Sequence, residues 1–200
     1  MKKTLLIAVF ALLAATSINA QNGYDNTKHE VAISTGILSN SQWIDIFAEV
    51  AVMEVGGTFS NEDFTGPFCV EYFYRLKEWL SVGGIFSYGN STMDYTKPSS
   101  TTIDGTLTNR YYSLMPALKL DWLRTKYFGM YSKLAIGYTF RTLHLEYTDS
   151  VTEAENDHTG HLNWQASLLG LEAGAPRFRA FLEAGIGEQG VVVLGLRYKF

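Results

Sequence analysis

Histidine, serine and acidic residues occur together in the second half of the chain, a combination that can support nucleophilic catalysis. A serine becomes a nucleophile when a histidine takes its proton and an acid orients that histidine. The candidates are His144, His158 and His161 with Ser150, Glu146 and Asp157. Their spacing reproduces no recognisable nucleophile signature. The pattern therefore favours a solvated polar rim, and we predict no catalytic residue.

Residues 147–160, YTDSVTEAENDHTG, could instead bind a metal, because carboxylate oxygens are the ligands that calcium prefers. The stretch supplies Asp149, Glu153, Glu155 and Asp157. It lacks the fixed acidic spacing and the central glycine of a dedicated calcium loop. We expect a solvated acidic loop, with no metal and no cofactor.

The overall charge argues against a nucleic-acid partner. Without Lys2 and Lys3, the chain carries 14 Lys and Arg against 20 Asp and Glu, with no basic cluster. The single cysteine, Cys69, excludes an internal disulfide framework.

The first 20 residues, MKKTLLIAVFALLAATSINA, have the pattern of a secretory signal peptide. Two lysines precede an apolar run from Leu5 to Ala15, and small residues lead to Ala20. The run is shorter than the roughly 20 residues that a membrane-spanning helix needs. We predict a signal peptide at 1–20 and one domain at 21–200, with Gln21 first in the mature chain.

Eight stretches of the predicted domain alternate apolar and polar residues with the period of a β-strand. The last, VVVLGLRYKF, places apolar or aromatic side chains at every second position up to Phe200. In the sixth, 161–174, the alternation changes phase, and a β-bulge near Leu168 would restore it. The stretches lie near 30–35, 69–75, 80–89, 111–122, 127–138, 161–174, 179–187 and 191–200.

We expect the apolar face of these strands to point outward into lipid. The opposite face is rich in Gly, Ser and Ala and carries charges of both signs, which suits the narrow interior of an eight-stranded barrel. The apolar face contains aromatic residues of the kind found where lipid meets water: Trp122, Phe128, Tyr138, Tyr198 and Phe200. The predicted lumen charges are Glu71, Arg75, Lys119, Lys133, Glu183 and Arg197, accompanied by Glu30, Asp121, Arg179 and Lys199.

The predicted connections alternate between short and long, as in an outer-membrane barrel. Short turns lie at 76–78, 123–126 and 175–177. Long loops are expected at 39–66, 90–109 and 147–160, with a tight turn at 187–190. This arrangement places both chain ends at the short-turn end.

The first long loop contains SQWIDIFAEVAVMEVGG, which predicts an amphipathic helix over 41–55 that ends at Gly56 and Gly57. Asp45 and Glu49 share one stripe, and Ile44, Phe47, Ala51 and Val55 line much of the remainder. Such a helix can pack on the barrel rim, lie at the outer leaflet or present a docking face to a partner.

From His29 onward the chain resembles the small eight-stranded outer-membrane barrels of the OmpA-transmembrane and OmpX type. The resemblance implies an all-β, eight-stranded antiparallel transmembrane barrel. It also implies that the barrel-assembly machinery reads the end of the chain, at Val192, Leu194, Leu196, Tyr198 and Phe200.

The functional expectation is a non-enzymatic barrel in the outer membrane of a Gram-negative-type cell, with surface loops for binding or envelope stabilisation. Its partners would be outer-membrane lipid, the barrel-assembly machinery and an unidentified surface partner. A narrow pore is one alternative. A lipid A-modifying enzyme is the other, because some eight-stranded barrels of this general shape resemble the lipid A deacylases and palmitoyltransferases.

Overall fold

The chain forms a single closed barrel of eight antiparallel strands in sequence order. The computed structural model describes residues 27–54, 58–96, 103–147 and 155–200, so the predicted signal peptide at 1–20 lies outside the described residues. One helix, α1 (Asn40–Glu54), follows the first strand. The strands are β1 (His29–Ile37), β2 (Thr58–Lys77), β3 (Leu80–Thr96), β4 (Gly105–Arg124), β5 (Phe128–Tyr147), β6 (Glu155–Gly174), β7 (Phe178–Gly187) and β8 (Val192–Lys199).

The barrel closes where β1 pairs with β8, with Ile33 opposite Leu196. The backbone amides of Lys28 and His29 donate to the carbonyl of Phe200, at 3.1 and 2.9 Å. Residues 27–28 and Phe200 therefore lie at the end of the barrel that carries the short turns. The eight-stranded antiparallel fold predicted above is confirmed.

The two faces of the strands are oriented as predicted. Apolar residues of the outer face are exposed, as shown by Leu134 at 54%, Ile136 at 66% and Leu194 at 60%. Charged residues of the inner face are buried almost completely. An outward apolar band around a polar interior is the pattern of a barrel surrounded by lipid.

The predicted bulge in β6 is confirmed. The register of β6 against β7 shifts between Ser167 and Leu169. Ser167, Gly170 and Glu172 all lie inside as a result, while Leu168 is exposed. Glu172, which shared the apolar face in the unbulged pattern, is 2% exposed.

The three predicted long loops contain more regular structure than expected, so their predicted bounds were wrong. Residues 40–54 are helical, and 58–66, 90–96, 105–109 and 155–160 belong to strands. β2 and β4 to β6 each have 20 residues and β3 has 17, whereas β1, β7 and β8 have 8 to 10. About 9–11 tilted residues suffice to cross a bilayer. β2 to β6 therefore continue well past the apolar band, while the other three strands end near its edge.

In these extensions the outer face becomes polar and the inner face apolar. A search for strands with an apolar outer face therefore did not find them. On β4 the outer face changes from Leu114 and Tyr112 to Thr108 and Thr106, while Leu107 is buried inside. β5 shows the same change: Phe140 points outward, but beyond it Thr142, His144 and Glu146 occupy the outer face. A strand surrounded by water needs a polar outer face and an apolar inner face. The reversal therefore marks the edge of the lipid-facing band.

The predicted helix is present, and it begins one residue earlier than expected, at Asn40. Ser39 caps it, since its Oγ accepts from the Gln42 amide at 3.1 Å, while Gln42 Oε1 accepts from the Leu38 amide at 2.9 Å. Only Leu38 and Ser39 separate the helix from β1. In the described part of the chain, no helix is long and apolar enough to cross a membrane.

Gly137 sits closer to its neighbours than its place on the inner face suggests. A Cβ there would lie 2.0 Å from the Leu114 carbonyl oxygen and 2.6 Å from the Met115 Cα, both backbone atoms. The alternation alone predicts that Gly137→Ser is mild. The structure corrects that expectation, because rigid backbone blocks any side chain.

Candidate functional site

The interior of the barrel holds the chemically active side chains, arranged in layers from the short-turn end to the mouth. All six predicted lumen charges lie in it, each no more than 8% exposed. Glu30, Asp121, Arg179 and Lys199 lie in it as well.

The middle layer is organised around Lys133 of β5. Its Nζ donates to Glu71 Oε1 at 2.7 Å and to Glu183 Oε1 at 2.9 Å. Tyr131 also donates to Glu183, at 2.7 Å, and Gln189 donates to Glu71 at 2.6 Å. A buried ammonium between two carboxylates, each with further donors, meets the condition under which buried ions are tolerated.

The layer nearest the short turns is organised around two carboxylates, Glu172 and Glu30. Glu172 accepts from Arg197 at 2.7 Å, from Arg179 at 2.8 Å and from Lys199. Glu30 accepts from Arg75 at 3.1 Å and from Lys119. Arg179 also donates to the carbonyls of Thr125 and Lys126 in the β4–β5 turn, so this network reaches the short-turn end itself.

Apolar side chains fill the wall of the lumen beside these ions. Phe73 and Ile85 are 1% and 0% exposed, and their cluster is completed by Cys69, Met115, Ala117 and Ala135. The Arg197 guanidinium lies 4.6 Å from the ring centroids of Tyr131 and Phe181, over their faces. Ions and apolar groups together occupy the cross-section of the barrel.

At the mouth of the barrel, the helix is attached through the buried carboxylate of Glu188, in the turn between β7 and β8. Ser41 of α1 donates to it through its hydroxyl at 2.8 Å and through its amide at 3.2 Å. Ser113 of β4 and Asn163 of β6 donate to the same carboxylate, at 2.9 and 2.8 Å. One carboxylate thus joins the helix to two strands of the barrel wall, β4 and β6.

Asp45 makes the second attachment, one helical turn further along. Its Oδ1 accepts from the Tyr111 hydroxyl at 2.5 Å and from the Asn109 amide at 2.8 Å, and Arg141 is 3.9 Å away. Burial raises the pKa of the Asp45 carboxyl above its usual value, against the opposing effect of these donors and of Arg141. In the docked helix, this carboxyl therefore takes up a proton at a higher pH than it would in water.

These contacts show how the predicted amphipathic helix is oriented. Its polar stripe, Ser41 and Asp45, faces the mouth, whereas Trp43 and Phe47 are 41% and 66% exposed. The two aromatic rings lie 6.1 Å apart, centroid to centroid. The side chain of Glu49, predicted on the same stripe as Asp45, lies outside the described residues, as do those of Ala51 and Val55. The helix is a lid with an aromatic outer face.

The sequence-based analysis missed Glu188, Gln189 and the part played by Asp45. Glu188 and Gln189 occupy a tight turn, a position that normally indicates solvent. Their flanking glycines, Gly187 and Gly190, have φ of +138° and +109°, a backbone conformation that turns both side chains into the lumen. The sequence signal that could have identified them is an acid and an amide enclosed by two glycines in a turn at the mouth of the barrel.

The histidine and acid candidates for catalysis lie on β5 and β6. His158 pairs with Thr142 and His161 with Thr139, while His144 pairs with Asn156. Asp157 and Glu146 are exposed, and Ser150 lies outside the described residues. The predicted acidic loop is described only in part, since Asp149 and Glu153 also lie outside. Within the described ranges, no group of three His, Cys, Asp or Glu could hold a metal ion.

The two ends of the barrel differ strongly in charge. Segments 39–66, 90–109 and 147–160 contain 11 Asp and Glu and a single Lys or Arg, Lys97. The parts of these segments that the structure describes lie toward the mouth. The short-turn end carries the exposed residues Lys28, Lys77, Lys126 and Arg177, with Glu78 as the one exposed acid among the described residues of that end. Arg110 and Arg141 lie next to these segments, and acidic residues still outnumber basic ones there, whereas exposed basic residues predominate at the short turns.

Comparisons with known proteins found similarity in structure. No family model and no curated protein matches the sequence. A crystal structure of Ail, the attachment invasion locus protein of Yersinia pestis, in complex with the heparin analogue sucrose octasulfate is similar, with 16% identity and a TM-score of 0.46. A second crystal structure of Ail has 17% identity and a TM-score of 0.43. In each case the similarity covers 86% of this chain and 99% of that chain.

Proposed function

We propose that this chain is a non-enzymatic, integral outer-membrane barrel whose lumen is closed and whose surface end binds a partner or stabilises the envelope. The observation that carries the proposal is the interior itself. Paired ions fill the lumen at two levels, and α1 covers the mouth through Ser41 and Asp45. The outward apolar band supplies the membrane-spanning surface.

The surface end is proposed to act through shape and charge. β2 to β6 extend past the apolar band, and α1 adds the exposed pair Trp43 and Phe47. Aromatic side chains are enriched at the centres of binding surfaces. Since the segments at this end carry 11 acidic residues and one basic residue, a cationic partner fits them better than a polyanion does.

The end of the chain is proposed to be the assembly signal, at Val192, Leu194, Leu196, Tyr198 and Phe200. The first four side chains are 41 to 60% exposed on the outer face of β8. The Phe200 ring stacks on His29, with centroids 5.3 Å apart. An exposed, alternating apolar edge that ends at the closing seam is a surface that the barrel-assembly machinery could recognise before closure. In this account, the chain reaches the outer membrane after its signal peptide is removed at Ala20.

Two measurements in cells test the proposal. Fractionation with N-terminal sequencing should find a chain that begins at Gln21 in the outer membrane, and an intact signal peptide in a soluble fraction would contradict the location. Mass spectrometry of lipid A from deleted and expressing cells should give the same species. A lipid A species that depends on the protein would show an enzyme.

A further inference from the structure

Four exposed cations encircle the short-turn end of the barrel. Lys28 precedes β1, Lys77 ends β2 at the β2–β3 turn, Lys126 lies in the β4–β5 turn and Arg177 lies in the β6–β7 turn. Because the strands follow one another around the barrel in sequence order, these four positions fall in four successive quarters of the circumference. We call these four residues the basic ring.

The basic ring lies at the edge of the apolar band, as the neighbouring aromatic residues show. Lys77 Nζ lies 5.7 Å from the ring centroid of Trp79, and Lys126 Nζ lies 5.4 Å from that of Tyr127. Trp79 and Tyr127 are 45% and 61% exposed. Tyrosine and tryptophan concentrate where lipid tails meet headgroups, and lysine stems extend from there toward the polar side.

Exposed cations outnumber exposed acids at the short-turn end, in the part of the chain that the structure describes. Lumen cations such as Arg197 and Lys133 bind lumen carboxylates, at 2.7 Å in each case. Glu78 is the one exposed acid among the described residues of the short-turn end. The ring therefore presents a net positive field at headgroup height, while the acidic segments lie toward the opposite end.

From this geometry we propose that the basic ring binds the phosphate groups of anionic phospholipids in the membrane leaflet at the short-turn end. Each cation attracts an anionic headgroup, and the adjoining aromatic and apolar residues hold the acyl chains. A cell-wall polymer fits less well, because turns of a few residues project too little to reach beyond the headgroups. The proposal rests on the barrel spanning a membrane and is independent of what the mouth binds.

The test is lipid selectivity in nanodiscs that contain equal amounts of phosphatidylglycerol and phosphatidylcholine with the same acyl chains. Native mass spectrometry after release into detergent counts the lipids that each barrel retains. We expect the wild-type chain to retain phosphatidylglycerol over phosphatidylcholine by at least about threefold. The triple variant K77Q/K126Q/R177Q should bring the ratio close to one.

Two control variants isolate the ring. The charge-conserving triple K77R/K126R/R177K should keep the wild-type ratio, and R110Q, which removes an exposed cation from β4 near the mouth, should keep it too. Heat-modifiable migration on gels shows whether each variant is folded. Misfolding of the barrel is thereby distinguished from a loss of lipid selectivity. Added inorganic phosphate should leave the ratio unchanged.

Several outcomes would overturn the proposal. These are equal retention of both lipids by the wild-type chain, an unchanged ratio in the glutamine triple, and loss of the preference in added phosphate, which would indicate a site for free phosphate. Binding of purified peptidoglycan that the glutamine triple abolishes, with no lipid preference, would assign the ring to the cell wall instead.

Discussion

At the scale of single residues, the position of a charged side chain along a strand determines how much it lowers the free energy of unfolding. Leu134 lies in the lipid-facing band of β5, 54% exposed. Thr108 also points outward, but it lies in the extension of β4, where its strand partners are Thr92 and His144. The same substitution at the two sites therefore tests the reversal of polarity between the band and the extensions.

Leu134→Arg should reduce the free energy of unfolding by about 2–4 kcal/mol, because the guanidinium would lie in lipid near the midplane. Thr108→Arg should change it by less than about 0.5 kcal/mol, as expected for a surface site in water. Urea unfolding in vesicles, followed by tryptophan fluorescence, measures both. Equal losses at the two sites would argue against the band boundary drawn here.

Lys133 is the central cation of the middle layer of the lumen. Lys133→Met leaves Glu71 and Glu183 buried without their shared cation, which should cost about 3–5 kcal/mol of unfolding free energy. The double variant Lys133→Met, Glu183→Gln removes one of the stranded charges and should recover part of that loss. Additive losses in the double variant would show that these groups are not coupled.

Which residues lie in the lumen follows largely from the sequence, because successive side chains of a strand point alternately inward and outward. Glu71, Lys119 and Lys133 could be assigned to the lumen on that basis. Their pairing could not, since it depends on the register between strands that are far apart in the chain. The tight fit of Gly137 against β4 was invisible for the same reason.

At the scale of elements, we expect the docking of helix α1 at the mouth to depend on pH. Tyr111 of β4, Arg141 of β5 and Glu188 of the β7–β8 turn all face it. Because burial raises the pKa of Asp45 in the docked helix, docking takes up a proton. Docking should therefore strengthen as pH falls through that raised pKa, and the gain is complete below the ordinary aspartate value of about 3.9.

Hydrogen exchange of the amides in 41–47, corrected for the intrinsic effect of pH, measures this docking. Protection in the wild-type chain should rise from neutral toward acid pH. Asp45→Asn keeps an acceptor for Tyr111 and Asn109 but cannot titrate, so its protection should stay level across the same range. Equal pH dependence in the two proteins would remove Asp45 as the cause.

The last strand provides the second test at this scale. Phe200→Ala keeps the backbone bonds to His29 but removes the ring that stacks on it. Phe200 is 49% exposed, so its loss should cost less than the roughly 1.5–3 kcal/mol of a fully buried apolar side chain. If the ring belongs to an assembly signal, insertion into the outer membrane of cells should fall while folding into detergent is largely kept.

The outcome of that comparison is read from heat-modifiable gel migration in both settings. Normal assembly of Phe200→Ala in cells would make Phe200 an ordinary interfacial aromatic residue. Failure in detergent as well would show that its main part is closing β1 against β8.

The elements themselves were predicted unevenly. The helix was predicted from its amphipathic pattern and its following glycines, and the bulge near Leu168 from a change of phase. The extensions of β2, β3, β4 and β6 fall within the predicted loops, and most of the extension of β5 lies outside both the predicted strand and the predicted loop. The reason is that their outer face is polar, with Thr106 and Thr108 where lipid-facing strands carry Leu or Tyr. A search for reversed alternation, as at Leu143 and Leu145, would have found them.

At the scale of the whole molecule, three features belong together: an apolar band outside, paired ions inside and a lid at the mouth. A barrel of eight strands is just wide enough for its side chains to fill, and here Lys133, Arg197 and Phe73 lie across it with almost no exposure. We therefore propose that the barrel is a closed membrane anchor for its surface end.

Conductance across a planar bilayer tests this central claim most directly. The wild-type chain, with insertion verified by heat-modifiable migration, should produce no sustained current steps. A variant that lacks residues 40–54 should produce none either, because the layers around Lys133 and Glu172 still fill the lumen below the lid. Steady, ohmic conductance through the inserted wild-type protein would contradict the closed barrel and make the chain a narrow pore.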